Sequence, residues 1–260
     1  MKKTRCDSNP VDKTSNVCHA EIEQKIQPMP TSGKISKNID RPLSAIKSKF
    51  GDSQDKTYSY VLTTVRLNSD QSAFEQHGSG PNFQGDLLTL CTCKHQMRAS
   101  RSSDDWNGVW LAGFTSRTIR DGRHWLFYLA QIQSAHESHA DLWDSLSHTC
   151  RKAKAADAHF LGDIFRPLKP APVEHDRFFP SRYVAPEYHA HRQSPGDTGW
   201  RNDIRYKHAK RFRNPPLLTA DPKRTFLWKE PIIYLDQKHC RNFSNWTLEE
   251  LFHHLRPATS

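Results

Sequence analysis

Two apolar stretches, WNGVWLAGF (106–114) and WLFYLAQI (125–132), decide the fold of this chain. Both are rich in aromatic and branched side chains, so each predicts a strand in the core of a sheet. The residues between them are polar and include Asp121-Gly122, a pair typical of hairpin turns. The sequence therefore predicts two core strands joined as a β-hairpin.

Further strands and two helices are predicted around this hairpin. Segments with the composition of strands occupy residues 58–65, 87–93, 224–228 and 231–235. Residues 134–158 have a helical pattern with Leu142, Trp143 and Leu146 on one stripe. A short helix is expected over residues 247–255, with Asn245 or Thr247 as its N-cap. The predicted fold class is α+β, with a mainly antiparallel sheet or small barrel and flanking helices.

Residues 1–56 differ in composition from the rest of the chain. They contain no Trp or Tyr, and eleven Lys or Arg stand against seven Asp or Glu. Such a segment is expected to bury too little apolar surface to offset the entropy lost on ordering. The sequence therefore predicts a disordered basic tail over residues 1–56 and one domain over residues 57–260.

The net charge of +10 favours a polyanionic partner, because Lys and Arg that neutralise phosphates release condensed counterions. No stretch is long and apolar enough to span a bilayer, and the first residues lack the apolar core of a secretory signal. With no export signal, the six cysteines are expected to be free thiols in a reducing cytoplasm.

Residues 201–213, RNDIRYKHAKRFR, are the most basic stretch of the chain. They carry six Lys or Arg and one Asp, with Tyr206 and Phe212 between the cations. Cations can hold a phosphate backbone while aromatic rings stack on bases. An exposed basic helix would have a similar composition, but its aromatic rings would then be exposed without benefit. Nucleic-acid binding is the favoured interpretation.

The sequence contains two weaker indications of chemistry. The Cys91-Thr92-Cys93-Lys94-His95 cluster lacks the C-x-x-C spacing and the second ligand pair of a zinc site, so no metal is predicted. Asp163 lies between apolar residues and Asp86 lies in a polar loop, which makes both candidates for acid–base catalysis. Capping of backbone amides is the commoner use of such carboxylates. Nothing in the sequence indicates a cofactor.

Several motifs between residues 58 and 165 follow the order of a known domain family. They are YSYVL (58–62), LTLCTCKHQMR (88–98), NGVWLAGFTS (107–116), LFYLAQI (126–132) and FLGDIF (160–165). On these motifs the chain resembles the second class of nucleotide-modification-associated domains, which occur beside DNA-base-hypermodification genes in phages and bacteria. The resemblance covers roughly residues 58–235, with residues 226–234 in the place of the family's closing strands. The chain departs from the family pattern at Leu88, where the family has Cys, at His95, where it has Pro, and at 107–109, where it has Gly-Asp.

The order of strands and turns is also similar to that of PUA-like domains, including the EVE and ASCH groups, which hold a flipped modified base at the mouth of a barrel. This second resemblance is an analogy of fold. Together the resemblances imply a PUA-like barrel that recognises a modified base in DNA, within base modification or phage defence. In that hypothesis Trp110 and Phe114 are pocket walls, and Thr115, Ser116 and Arg117 lie near the rim. The expected phosphate contacts are Lys94, Arg98, Arg205, Tyr206, Lys207 and Arg211.

Three alternatives stay open on the sequence alone. Trp110 has the spacing of an ordinary core residue, which would leave no pocket wall there. The protein could instead be an enzyme such as a DNA glycosylase or a base-modifying transferase, with Asp163 or Asp86 as the acid. It could also be a protein-interaction module whose basic face binds an acidic partner. The sequence does not indicate an oligomeric state.

Overall fold

The structure is a computed structural model that describes residues 26–78, 80–156, 160–169, 177–187, 199–204, 214–239 and 242–258. It shows a mixed α+β fold in which one sheet curls into a half-barrel, with helices around it. Within these ranges no helix combines the length and the apolar character needed to cross a membrane.

The described part of the chain contains ten strands and six α-helices. The strands are β1 Lys56–Leu62, β2 Val65–Leu67, β3 Phe74–Gln76, β4 Thr89–Leu90, β5 Trp110–Thr115, β6 His124–His136, β7 Leu217–Leu227, β8 Ile233–Leu235, β9 Ser244–Thr247 and β10 Leu255–Pro257. The α-helices are α1 Leu43–Phe50, α2 His95–Arg98, α3 His139–Ser145, α4 His148–Ala155, α5 Arg201–Ile204 and α6 Leu248–His254. Short 3-10 turns occur at Ile35–Asn38, Gln84–Asp86, Asp104–Trp106, Phe160–Gly162 and Pro180–Arg182.

The long strand β6 organises the main sheet. It pairs with β5, β7 and β8, and the strand order along the sheet is β10-β8-β6-β5-β1-β9. Strand β4 joins through β7, and β2 and β3 form a separate hairpin. The pair β1–β5 is parallel and the other pairs are antiparallel. The predicted mainly antiparallel sheet is therefore confirmed.

The long strand β6 pairs with three other strands, and its register shifts along two of these pairings. Its pairing with β5 shifts at Gly113/Phe114, and its pairing with β7 shifts on either side of Ile132. Bulges of this kind bend a strand and increase its twist, which suits a curled sheet. Gly113 is required here, because a Cβ at this position would overlap the ring of Tyr128.

Each face of the sheet is covered by its own apolar cluster. Alternate residues of a strand point to opposite faces. The first core includes Tyr58, Tyr60, Trp106, Leu111, Trp125 and Tyr128. The second core includes Trp110, Phe114, Leu129, Trp228 and Leu251. Strands β5 and β6 are accordingly buried on both sides, which explains their continuous apolar sequence.

The domain begins well before residue 57. Ile35, Leu43 and Ile46 are buried, and Ile35 belongs to the first core. The carboxylate of Asp86 accepts hydrogen bonds at 2.8 Å from the backbone N–H groups of Lys34 and Ile35. The predicted boundary is therefore wrong for residues 26–56: the apolar residues are few, but these three all face the core. Residues 1–25 lie outside the described residues.

The other local predictions have mixed outcomes. The hairpin is confirmed, and its turn places Asp121 and Gly122 at φ angles of 46° and 73°, in the left-handed region. The C-terminal helix is confirmed with Thr247 as its N-cap, and Glu250 completes a capping box. The predicted helix over residues 134–158 is wrong at its start, because 134–136 extend β6. It also divides into α3 and α4, which are capped by Ser138 and Ser147.

We expect Ile46→Ala to lower the free energy of unfolding by about 2–4 kcal/mol, because the missing methyl groups leave a cavity in the second core. Ser44→Ala, on the exposed side of the same helix, should change it by less than about 0.5 kcal/mol. Urea denaturation of both variants measures the difference. Equal stability of the two variants would contradict the packing of α1 against the sheet.

Candidate nucleic-acid interface

Three cationic side chains lie over the rings of two tyrosines on β1. The ammonium of Lys56 is 5.8 Å from the centre of the Tyr58 ring, and the guanidinium carbon of Arg101 is 5.7 Å from it. The ammonium of Lys94 is 5.1 Å from the centre of the Tyr60 ring. We call these five residues the β1 rim. Cations held by aromatic faces form a positive surface without needing carboxylate partners.

The alternation of β1 produces this arrangement. Residues 56, 58 and 60 share one face of the strand, so the two tyrosines enter the first core while Lys56 stays exposed at the strand start. Arg101 is held in place because its Nε donates a hydrogen bond to the Tyr58 hydroxyl at 3.0 Å. Lys94 has a left-handed backbone, with φ of 58°, directly before α2.

The groups beneath the rim are neutral at physiological pH. The hydroxyls of Tyr60 and Tyr128 are 2.5 Å apart, and burial raises the pKa of both phenols far above the ordinary value. Burial, and then the charge of Asp163, raises the pKa of the Cys93 thiol to about 11. A thiol that stays protonated is a poor nucleophile, so the site offers no activated cysteine.

Arg98 lies below the surface, in contrast to Lys94. Its side chain is 1% exposed and donates hydrogen bonds to the carbonyl oxygens of Cys93, Pro215 and Pro216, at 2.8, 3.0 and 2.7 Å. These bonds join the segment before α2 to the segment before β7. Because the guanidinium is buried and bonded to these carbonyl groups, its role is structural. The geometry does not support the expected contact of Arg98 with phosphate.

Trp110 and Phe114 are packed within the second core. Both are fully buried, and the Trp110 indole N–H donates a hydrogen bond to the Asp55 carboxylate at 3.1 Å. Phe50 packs edge-on against Trp110 at 5.1 Å, and His239 lies 5.9 Å from Phe114. Neither ring borders an opening among the described residues. The alternative that Trp110 is a core residue is the one the structure supports.

The residues after Phe114 lead to the surface. Thr115 is buried, and its hydroxyl accepts a hydrogen bond from the backbone N–H of Trp125 at 3.1 Å. Ser116 is half-buried and lies 2.9 Å from the Thr118 hydroxyl. Arg117 is exposed, and its Nε donates a hydrogen bond to the carbonyl of Gly122. Of Thr115, Ser116 and Arg117, which were expected near the mouth of the pocket, Arg117 is thus the most exposed.

Asp163 is the centre of a buried polar network. Its carboxylate accepts hydrogen bonds from the Thr89 hydroxyl at 2.6 Å and the Cys91 backbone N–H at 3.0 Å. Lys154, also fully buried, donates to the Leu87 carbonyl at 3.0 Å and to the Asn82 side chain at 3.2 Å. Desolvation raises the pKa of Asp163, while these hydrogen bonds and the charge of Lys154 oppose the rise.

Both catalytic candidates accept hydrogen bonds from backbone groups. Asp163 has no exposed surface and holds backbone and hydroxyl groups of the core. Asp86 bonds the backbone of the N-terminal segment, as described above. Both carboxylates therefore satisfy backbone amides, which is the alternative that the sequence also allowed.

The residues that flank the basic segment 205–213 lie beside α2. The Asp203 carboxylate is 2.7 Å from the His95 ring nitrogen, and this contact fixes α5 against α2. Ile204 and Asn214, on either side of the segment, both line a small cavity next to Arg98. The candidate residues Arg205, Tyr206, Lys207 and Arg211 themselves lie outside the described residues.

The described residues contain no group of three or more His, Cys, Asp or Glu side chains arranged to hold a metal ion. Comparisons of the chain with protein-family models, curated proteins and solved structures find no match. The resemblance to the nucleotide-modification-associated domains therefore stays a prediction.

Lys94 is among the residues predicted from the sequence, whereas Lys56 and Arg101 are not. The signal for Lys56 was present in the alternation of KTYSY (56–60), which puts the lysine on the face of both tyrosines. The contact of Arg101 with Tyr58 had no local signal, because 43 positions separate the two residues.

Asp163→Ala is expected to lower the free energy of unfolding by about 3–5 kcal/mol, because it leaves Lys154 buried without the nearby carboxylate and removes two hydrogen-bond acceptors. Asp163→Asn should cost less, since an amide oxygen can still accept a bond. Chemical denaturation measures both, with the exposed Asp104→Asn as the matched control. If the Asp163→Ala protein were as stable as the wild type but had lost an enzymatic activity that the wild type shows on DNA bases, the structural role would be contradicted and a catalytic role favoured.

Proposed function

We propose that the protein binds DNA through the β1 rim and recognises a modified base within a base-modification or phage-defence system. The observation that carries the DNA contact is the set of three cations held over Tyr58 and Tyr60 on one face of β1. The modified base rests on the resemblance of the motifs between residues 58 and 165. The two parts of the proposal are separable by experiment.

The charge of the rim supports a polyanionic partner. Lys56 and Arg101 form no ion pair with a carboxylate of the described residues, so their charge is available to a ligand. The sequence of the basic segment 205–213, which lies outside the described residues, contains five further Lys or Arg, and the residues that flank it lie beside α2. Phosphates neutralise such clusters with release of counterions, which makes binding depend strongly on salt.

Binding without catalysis is the form that the geometry favours. Asp163 and Asp86 hold backbone amides, and the pKa of the Cys93 thiol is about 11. The two acids were the candidates for activating water, and the hydrogen bonds that they accept from backbone amides do not favour that role. The Cys93 thiol stays protonated, so it is a poor nucleophile toward a base.

The test is binding of the full chain to matched duplexes that carry unmodified, methylated, hydroxymethylated or glucosylated bases, over a series of salt concentrations. We expect nanomolar-to-micromolar binding that weakens with salt and is tightest for one modified duplex. Lys56→Gln combined with Lys94→Gln should reduce the slope of log K against log salt by about 0.9 for each phosphate that is no longer neutralised. Lys152→Gln, an exposed charge on α4, serves as the control.

The binding measurements test the modified base, the β1 rim and DNA binding separately. Equal binding to all duplexes would remove the modified base and leave DNA binding in place. If the wild-type protein and the rim variant had equal slopes of log K against log salt, the β1 rim would not be the DNA contact. No binding to any duplex would contradict the proposal and direct attention to an acidic protein partner.

A further inference from the structure

The turn between β5 and β6 carries a second group of cations that the proposed function does not use. Arg117, Arg120 and Arg123 are all exposed and follow one another at intervals of three residues. We call these three residues the arginine turn. The only acid between Thr115 and His124 is Asp121, so the turn has a net positive charge.

Two aromatic rings hold the arginines of this turn. The guanidinium of Arg120 is 5.5 Å from the centre of the Trp125 ring, and that of Arg123 is 4.3 Å from the centre of the Tyr234 ring. Trp125 and Tyr234 themselves pack edge to face at 5.5 Å. A guanidinium held against a ring face loses conformational freedom while its N–H groups stay able to bind an oxyanion.

The local partners leave much of this charge unneutralised. Asp121 lies 3.7 Å from the Arg123 guanidinium and also accepts a hydrogen bond from the Trp125 indole. The side chain of Arg120 forms no ion pair or hydrogen bond within the described part of the chain. A surface that served only to stabilise the turn would be expected to pair its arginines more completely.

The arginine turn and the β1 rim border the same core. Trp125, which holds Arg120, belongs to the first core together with Tyr58 and Tyr60. In the parallel pair β1–β5, Leu62 lies beside Thr115, so the turn begins where β1 ends. Lys56 lies at the opposite end of β1, about 20 Å away at the usual rise of 3.3 Å per residue. Lys94, over Tyr60, lies between the two.

We infer that the arginine turn is a second DNA-backbone contact, so that one duplex crosses the protein surface from the β1 rim to the turn, in the direction of β1. This inference rests on the proposed function and adds the footprint of the DNA. A length of about 20 Å corresponds to roughly six base pairs at 3.4 Å per step. The arginines bind phosphates at one end of this footprint, and Lys56 and Arg101 bind phosphates at the other.

The experiment compares three doubly substituted full-length proteins on stem-loop DNAs with stems of four and ten base pairs. The turn variant is Arg120→Gln with Arg123→Gln, and the rim variant is Lys56→Gln with Lys94→Gln. The control, Lys152→Gln with Lys223→Gln, removes the same charge from exposed positions elsewhere. Fluorescence anisotropy over a salt series gives the affinity and its slope, and circular dichroism confirms that each variant is folded.

With the ten-base-pair stem, we expect the salt slope of the turn variant to fall by about one to two units and that of the control to change little. With the four-base-pair stem, which is too short to reach both contacts, the turn variant should match the wild-type protein. Arg→Lys at both positions should restore part of the slope, since the charge returns without the planar guanidinium.

Different results would contradict the arginine turn, the β1 rim or DNA binding as a whole. A turn variant that behaves like the control on the long stem, while the rim variant binds more weakly, would overturn the second contact and leave the proposed function standing. Weaker binding by the turn variant alone would support the arginine turn and remove the β1 rim. Absence of DNA binding by the wild-type protein would overturn both.

Discussion

The pairing of β6 with three other strands is the constraint on which the structure depends. Nine consecutive residues of this strand are buried, and while its partner β5 is its hairpin neighbour, β7 and β8 come from a distant part of the chain. A strand covered on both faces has no place for exposed polar side chains. Candidate functional groups are therefore found at the ends of the sheet strands, on β1 near the sheet edge and in the turn that precedes β6.

The charged residues divide into buried groups that build the fold and exposed groups that can meet a partner. Arg98, Lys154 and Asp163 are fully buried and bind the carbonyls, amides and hydroxyls of loops around the first core. Such groups are costly to bury and are tolerated because each has hydrogen-bond partners. The net positive charge of the sequence accordingly overstates the number of cations at the surface. At the surface, Arg120 contacts the Trp125 ring and forms no ion pair within the described residues, whereas Arg123 contacts the Tyr234 ring and also lies 3.7 Å from Asp121.

Local patterns predicted the elements whose stability is local. The β5–β6 hairpin followed from two apolar stretches and Asp121-Gly122, and the C-terminal helix followed from a candidate N-cap at Asn245 or Thr247. The prediction for residues 26–56 was wrong because composition does not reveal that its few apolar side chains pack into the two cores of the domain, Ile35 into the first and Leu43 and Ile46 into the second. Trp110 and Phe114 were candidate pocket walls because a strand with both faces buried has the same sequence pattern as one that borders an opening.

The sequence by itself determined the class of the fold, the central hairpin, the positive charge and the alternation that puts Lys56 beside two tyrosines. These properties depend on the order of neighbouring residues, which fixes backbone preference and side-chain direction along a strand. Only the tertiary structure decided that Arg98 and Asp163 are internal and that Arg101 contacts Tyr58. It also decided that the arginine turn borders the same core as the β1 rim. These arrangements join residues far apart in the chain, and their energies come from burial and contacts that exist only after the sheet has closed.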